Sequence, residues 1–268
     1  MPSPTKYFLD TILFKSYLFL YLIFEFLFGS KLSVIILKKI RKIEITTKTK
    51  KFDITHKIEQ IPYLFDIYYN PIYGIQFEDG VLIDVGAHIG SSTFGFLKNN
   101  LMNKFYLIEP KKENFRLLKI NIKNNNLNGQ VKLFNIAFSN KEGFDYLYSS
   151  LGSGGHTIFP IGKERTRIKT TTLDKFFKKE RINKISLIKI DTEGSELKIL
   201  QGAKSILKTQ APKLLIELHP FFVKPSSVIN YLEIYGYKIK ILSNLTIFAT
   251  KDLYSNNTII LKEDDKKV

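Results

Sequence analysis

From about residue 60 onward, short apolar runs alternate with stretches of mixed polarity, the pattern of strand–helix repeats that build a parallel sheet. The run Val81-Leu82-Ile83-Asp84-Val85 has no helical period and predicts a strand. Gly86 to Gly90 predicts a turn, and residues 91–97 the helix that follows. Residues 105–108 predict a second strand and 111–123 a second helix; 131–138 predict a third strand. A fourth strand is expected at 185–190 with its helix over 195–207, a fifth strand at 214–217, and a helix over 226–235. Residues 237–242 and 245–250 predict an antiparallel pair turning at Ser243 and Asn244. The Gly- and Ser-rich segment 149–162 reads as a surface loop. The fold class is therefore α/β, with a Rossmann-like sheet and no internal repeat.

The first forty residues have a different texture. Residues 7–37 are strongly apolar and aromatic, densest at 17–24, and interrupted by Asp10, Lys15 and Glu25. A spanning helix needs about 20 mostly apolar residues, and a central carboxylate costs roughly 2.5–3.5 kcal/mol to insert. No small-residue cleavage site of a signal peptide follows. Lys31, Lys38, Lys39, Arg41 and Lys42 come directly after. An apolar helix followed by a basic cluster fits an interfacial anchor on anionic lipid; a helical element packed on the domain or on another subunit fits as well. The expected organisation is an apolar and basic helical extension over 1–58 and a catalytic domain over 59–268. The expected location is cytoplasmic, with a peripheral position on the cytoplasmic face of the membrane under the anchor reading.

Composition adds two constraints. The chain has no cysteine, which removes disulfides, zinc–thiolate sites and thiol nucleophiles. Its net charge of +16 favours an anionic neighbour such as nucleic acid, an anionic membrane or an acidic glycan, although Lys, Ile and Asn are abundant throughout.

The strongest motif is Asp84-Val85-Gly86-Ala87-His88-Ile89-Gly90, with two glycines four apart after an acidic strand end. Gly86 allows a tight turn and close ligand approach, and Gly90 allows the next helix to pack near the strand. Asp84 is expected to face the methionine end of a nucleoside cofactor. Glu109, at the end of the second strand, follows at the spacing from which an acid accepts from ribose hydroxyls. Ala137, at the end of the third strand, is expected to border the adenine.

With these residues in place, the chain resembles the FkbM methyltransferase family. The resemblance runs from about 75 to 220 and is carried by 81–93, by 106–117 with Glu109-Pro110, and by 131–143. It continues through Thr172-Leu173-Asp174 and Ile188-Lys189-Ile190-Asp191-Thr192-Glu193-Gly194-Ser195-Glu196, and through Leu200-Gln201-Gly202-Ala203, closing at His219. The resemblance implies a seven-stranded class I methyltransferase fold, S-adenosyl-L-methionine as cofactor, and a hydroxyl acceptor on a sugar of a glycan or glycolipid. His88 departs from the family, which more often carries Asn there; His still offers a hydrogen bond, so cofactor binding is expected to survive.

Methyl transfer to a hydroxyl needs a group to take the proton. In this topology Asp191 ends the fourth strand, with Glu193 and Glu196 after it, and Glu217 and His219 end the fifth, on the opposite lip of the cleft. Asp191, Glu193 and His219 are the candidate catalytic residues. Asp191, Glu193, Glu217 and His219 could also together hold Mg²⁺ or Mn²⁺. Two rival readings stand beside this one. The charge keeps RNA among the acceptors as a ribose 2′-hydroxyl, although base amino-methylation normally needs an Asn/Asp-Pro-Pro-aromatic block where Asp191-Thr192-Glu193-Gly194 stands. A non-catalytic, membrane-associated binding protein on the same fold would require a damaged cofactor motif, and Asp84, Gly86, Gly90 and Glu109 are intact.

Overall fold

The computed structural model describes residues 43–48, 51–57, 60, 64, 70–75, 77–97, 103–149, 156–157, 165–243 and 245–251. The apolar segment 7–37 and its basic cluster lie outside them. Among the described residues no helix is long and apolar enough to cross a membrane.

Seven strands form the central sheet: β3 (Val81–Val85), β4 (Lys104–Ile108), β5 (Val131–Phe134), β10 (Ile185–Ile190), β11 (Lys213–Glu217), β12 (Lys238–Ile241) and β13 (Thr246–Thr250). Their spatial order is β12-β13-β11-β10-β3-β4-β5. The five from β5 across to β11 run parallel, and β13 inserts antiparallel between β11 and β12. The central strands β3 and β10 are buried along their whole length because helices cover both faces. One apolar cluster, around Ile83, Ile188 and Ile216, fills one side of the sheet; a second, around Phe94, Phe105 and Phe248, fills the other.

The helices are α1 (Ser91–Leu97), α2 (Lys112–Asn124), α3 (Leu173–Lys179), α4 (Glu196–Gln201), α5 (Lys204–Thr209) and α6 (Pro225–Ile234). The helix expected over 195–207 is thus two. Gly202 marks the break: a Cβ there would lie 2.1 Å from the Ser139 carbonyl oxygen. The Asp174 carboxylate accepts from the Ser205 and Ile206 N–H groups and so caps the start of α5. The Thr-Leu-Asp and Leu-x-Gly-Ala segments of the sequence therefore meet as one packing joint.

The strand expected over 131–138 also divides. β5 ends at Phe134, and β6 (Ala137–Phe138) joins a second sheet with β7 (Gly143–Ser149), β8 (His156–Thr157) and β9 (Arg165–Thr171), in the order β6-β9-β7-β8. Asn135 turns the chain between the sheets by donating its amide to the Glu109 and Pro110 carbonyls. Part of the expected surface loop is therefore strand: residue 149 ends β7 and residues 156–157 form β8, while the rest of the loop lies outside the described residues.

The end of the expected helical extension is a β-hairpin, β1 (Glu44–Lys48) with β2 (Asp53–Lys57). The free edge of β2 is held by side-chain amides of α2. Asn125 accepts from Asp53 N–H and donates to its carbonyl, and Asn121 does the same at Thr55. Ile54 is fully buried in the core below. His56 is buried too, bonded to the Lys57 carbonyl through Nδ1 and to the Thr47 hydroxyl through Nε2, so its role is structural.

Candidate active site

A cavity of about 580 Å³ opens at the C-terminal ends of β3, β4, β10 and β11, where ligands bind in open parallel sheets. The short turn Pro71–Gly74 forms part of its wall through Ile72 and Tyr73, and the second sheet closes another side through Leu147 and Ile168.

Gly86, His88, Glu109 and Ala137, four of the residues expected to bind a cofactor, all line this cavity. Gly86 has φ +86°, and a Cβ there would lie 1.8 Å from the Asp191 carbonyl oxygen. Its bare backbone thus lets the ends of β3 and β10 meet. Gly90 does not line the cavity; at φ +100° it packs within contact of Phe94 and Leu118 and seats α1 on the sheet. Glu109 accepts from His88 N–H (2.9 Å) and Lys111 N–H (2.8 Å), one on each oxygen, and the Asn114 side chain also bonds to it, which leaves one acceptor site of the carboxylate for a ligand. Burial outweighs these donors and pushes its carboxyl up to about 7. His88 has φ +52° and its Nε2 meets the Gln60 amide at 2.9 Å. The Gln60 carbonyl oxygen accepts from Lys57 N–H, so its NH₂ must donate to His88, which fixes the neutral imidazole with its proton on Nδ1.

Asp84 lies beneath the cavity, fully buried. Oδ2 accepts from the Ser92 and Thr93 hydroxyls at the start of α1 (2.8 and 2.7 Å), while Oδ1 has no hydrogen bond among the described residues. Strand register explains its counter-ion. Lys189 stands opposite Asp84 in the neighbouring strand and two residues before Asp191, so all three share a face. Its Nζ lies 3.6 Å from Asp84 Oδ1 and 3.1 Å from Asp191 Oδ2. Burial opposes the Lys189 charge, but the two carboxylates outweigh it and hold the amine above its ordinary range. Sequence reasoning missed this residue. The signal was present: a lysine in a six-residue strand that is otherwise apolar but for Ser186 is an anomaly that needs a buried partner.

The acidic candidates converge at the ends of β10 and β11. His219 Nδ1 meets the buried Glu196 carboxylate at 2.8 Å, and Nε2 faces Asp191 at 3.8 Å and Glu193 at 3.6 Å. Glu196 also accepts from Gly194 N–H and is 1% exposed, which makes it an orienting group rather than a surface acid. Glu193 has φ +52°, a tight turn completed by Gly194 at φ +105°. Burial works against charge on His219, yet Glu196, Glu193 and Asp191 together push it up to about 9. Burial likewise opposes ionisation of Asp191, but Lys189 and His219 hold its carboxyl below the usual value. Glu217 is pushed up to about 7 by burial and by Asp191 beside it; burial raises Glu193 too. Ligand atoms of Asp191, Glu217 and His219 all lie within 4.8 Å of one another, and Glu193 falls outside that triangle.

The imidazole titration is directly measurable. His219 should stay charged to about pH 9 by nitrogen NMR, and Glu196→Gln, which removes its strongest stabilising partner, should lower the midpoint. An unchanged midpoint would show that Glu196 does not govern this ring. Because the folded value is raised above the ordinary 6.5, the stability this group contributes is complete below about pH 6.5 and lost as pH rises through about 9.

The strand order, with β13 antiparallel between β11 and β12, is that of the Rossmann-like class I methyltransferase fold. The methyltransferase FkbM domain matches residues 84–239, more than half of the 268-residue chain, and the chain belongs to the FkbM methyltransferase family. Among solved structures, an FkbM methyltransferase from Methylobacillus flagellatus KT is similar, at 19% identity and a TM-score of 0.52, over 70% of this chain and 47% of that one. The likeness therefore spans about half the length of that protein. TrmK from M. capricolum, solved with S-adenosyl-homocysteine, aligns at 12% identity and a TM-score of 0.44, covering 68% and 67% of the two chains. TYW2 from M. jannaschii, solved with AdoMet, aligns at 14% and 0.42, covering 77% and 83%. No curated protein matches the chain.

Proposed function

We propose that the chain methylates a hydroxyl on a sugar of a glycan or glycolipid. The observation that carries this reading is the Glu196–His219 pair, whose free ring nitrogen faces Asp191 and Glu193 beside the cofactor cavity. A hydroxyl acceptor must shed its proton, and an imidazole oriented by a buried carboxylate can receive it in its neutral form, which His219 reaches as pH rises toward about 9.

The residues fit S-adenosylmethionine. Glu109 has an acceptor site for a ribose hydroxyl, Ala137 and Phe138 border an apolar recess, and Asp84 with Lys189 sets the charge beneath the glycine turn. The cofactor supplies the electrophilic methyl group when bound; the protein aligns the acceptor and takes its proton. Calorimetry with S-adenosylmethionine tests the site. Binding in the micromolar range is expected, and Glu109→Ala should weaken it by about 1–3 kcal/mol, the cost of leaving a buried hydroxyl unpaired. No heat from a folded protein would refute the reading.

Asp191, Glu217 and His219 also present a donor set suited to Mg²⁺ or Mn²⁺, two carboxylates and an imidazole. A divalent ion there would acidify a bound hydroxyl and displace the proton that His219 otherwise keeps to about pH 9. Without an ion, turnover that needs neutral His219 should climb with pH toward about 9. With one, the rise should fall at lower pH and vanish on EDTA treatment, returning with Mg²⁺ or Mn²⁺.

The apolar and basic segment preceding residue 43 supports a peripheral position on an anionic membrane, which would bring a glycolipid acceptor within reach. Full-length protein should float with anionic liposomes, and a chain beginning at Ile43 should stay in solution. Equal behaviour of the two would remove this part of the reading.

A further inference from the structure

We propose that the outer face of the second sheet is a docking strip for an acidic glycan carrying uronic-acid carboxylates. This names the acceptor class of the proposed function and rests on that reading.

The two faces of the sheet differ. Leu147 and Ile168 turn inward and line the methyl-transfer cavity. On the other face, register sets Phe144 opposite Lys169, Tyr146 opposite Arg167 and Tyr148 opposite Arg165. Phe144 is 60% exposed and Tyr146 39%. The guanidinium carbon of Arg167 lies 3.8 Å from the Phe144 ring centroid, and that of Arg165 lies 4.4 Å from the Tyr146 centroid. Among the described residues neither arginine has a carboxylate partner; the arginine ion pair there is Arg116 with Glu44. Two cations are therefore laid against aromatic rings and left with unspent N–H donors. Seven residues of β9 make the strip about 20 Å long. It runs toward a second cavity of about 240 Å³ of mixed charge, where Lys169 and Lys179 stand beside Glu180 and Lys175 is paired with Glu142.

Single-stranded nucleic acid takes much of its affinity from bases stacked on open ring faces. Here each ring already has a guanidinium over it, so what the strip offers is ordered donors. Planar guanidinium forks suit planar carboxylates, and a net charge of +16 adds long-range attraction for a polyanion.

The test is fluorescence anisotropy of full-length protein with a labelled oligogalacturonate, at low and high salt. Arg165→Ser with Arg167→Ser should weaken binding at least about tenfold. Phe144→Ser with Tyr146→Ser should weaken it about threefold, and that loss should persist at high salt, because ring contacts are not screened. Lys238→Ser with Lys240→Ser removes equal charge from β12, at the far edge of the main sheet, and should change binding less than about twofold. Unaltered S-adenosyl-homocysteine affinity confirms that each variant is folded. The proposal is overturned if the lysine control loses as much as the arginine variant. It is equally overturned if oligouridylate or anionic vesicles bind more tightly through the same four residues. Binding is read without turnover, so tight oligogalacturonate binding with no methyl transfer would defeat the hydroxyl-methylation reading while leaving the strip in place.

Discussion

Asp191→Asn is expected to lower kcat by two to four orders of magnitude while leaving S-adenosylmethionine affinity near that of the natural chain. The Asp191 carboxylate faces the His219 ring nitrogen at 3.8 Å and belongs to the triangle with Glu217. On the proposed hydroxyl methylation, whether it steadies the proton on His219 or ligates a cation, its charge would act as the acceptor oxygen becomes negative and its proton leaves. Interactions made in the transition state, and not in the ground state, appear in kcat, and general acid–base groups typically contribute 10²–10⁴-fold. The amide is nearly the same size, so the tight approach to Gly86, which uses the Asp191 backbone, is preserved. Steady-state kinetics with calorimetry of the same sample separate the two quantities. Natural turnover by Asp191→Asn would move the chemistry away from the end of β10.

The largest stability loss is expected from Gly86→Ala, on the order of 4 kcal/mol. Two causes add. The backbone is at φ +86°, where a side chain costs roughly 1–2 kcal/mol, and the new methyl carbon would lie 1.8 Å from the Asp191 carbonyl oxygen. Backbone, rather than the tip of a flexible side chain, must then shift. Because Asp191 N–H donates to the Val85 carbonyl at 3.0 Å, the shift pulls apart the two central strands at their carboxyl ends. A melting temperature about 8–16 °C lower follows for a domain of this size. Gly129→Ala is the matched control: nothing lies within 4 Å of the added carbon, and a change below about 0.5 kcal/mol is expected. Equal melting of the two variants would show that the turn tolerates a side chain.

The parallel strands were legible because burial on both faces leaves β3 apolar but for Asp84 and β10 apolar but for Ser186 and Lys189. The terminal antiparallel pair of β12 and β13 was equally plain, Ile alternating with Lys in the first and an apolar run forming the second. What escaped notice depended on pairing across distance. The division at Asn135 is made by amide bonds to carbonyls some 26 residues earlier. The second sheet has one buried face, and its inward residues, Leu147 and Ile168, are too few to show a clear alternation. Lys189 was visible as a residue type, but its position between Asp84 and Asp191 follows from strand register, which composition does not carry. Glu196 reads as an ordinary acid at a helix start until His219 arrives from β11 to meet it.

The amide clasp on the hairpin bears on how such a protein can be taken apart. Asn121, which holds β2 at Thr55, also donates to the Ile89 carbonyl inside the glycine turn, and Gln60, tied to Lys57, fixes the tautomer of His88. A cut at residue 58 would remove Thr55 and Lys57, the partners that hold Asn121 and Gln60 against the glycine turn. The hairpin and the sheet it braces would therefore have to be inherited together.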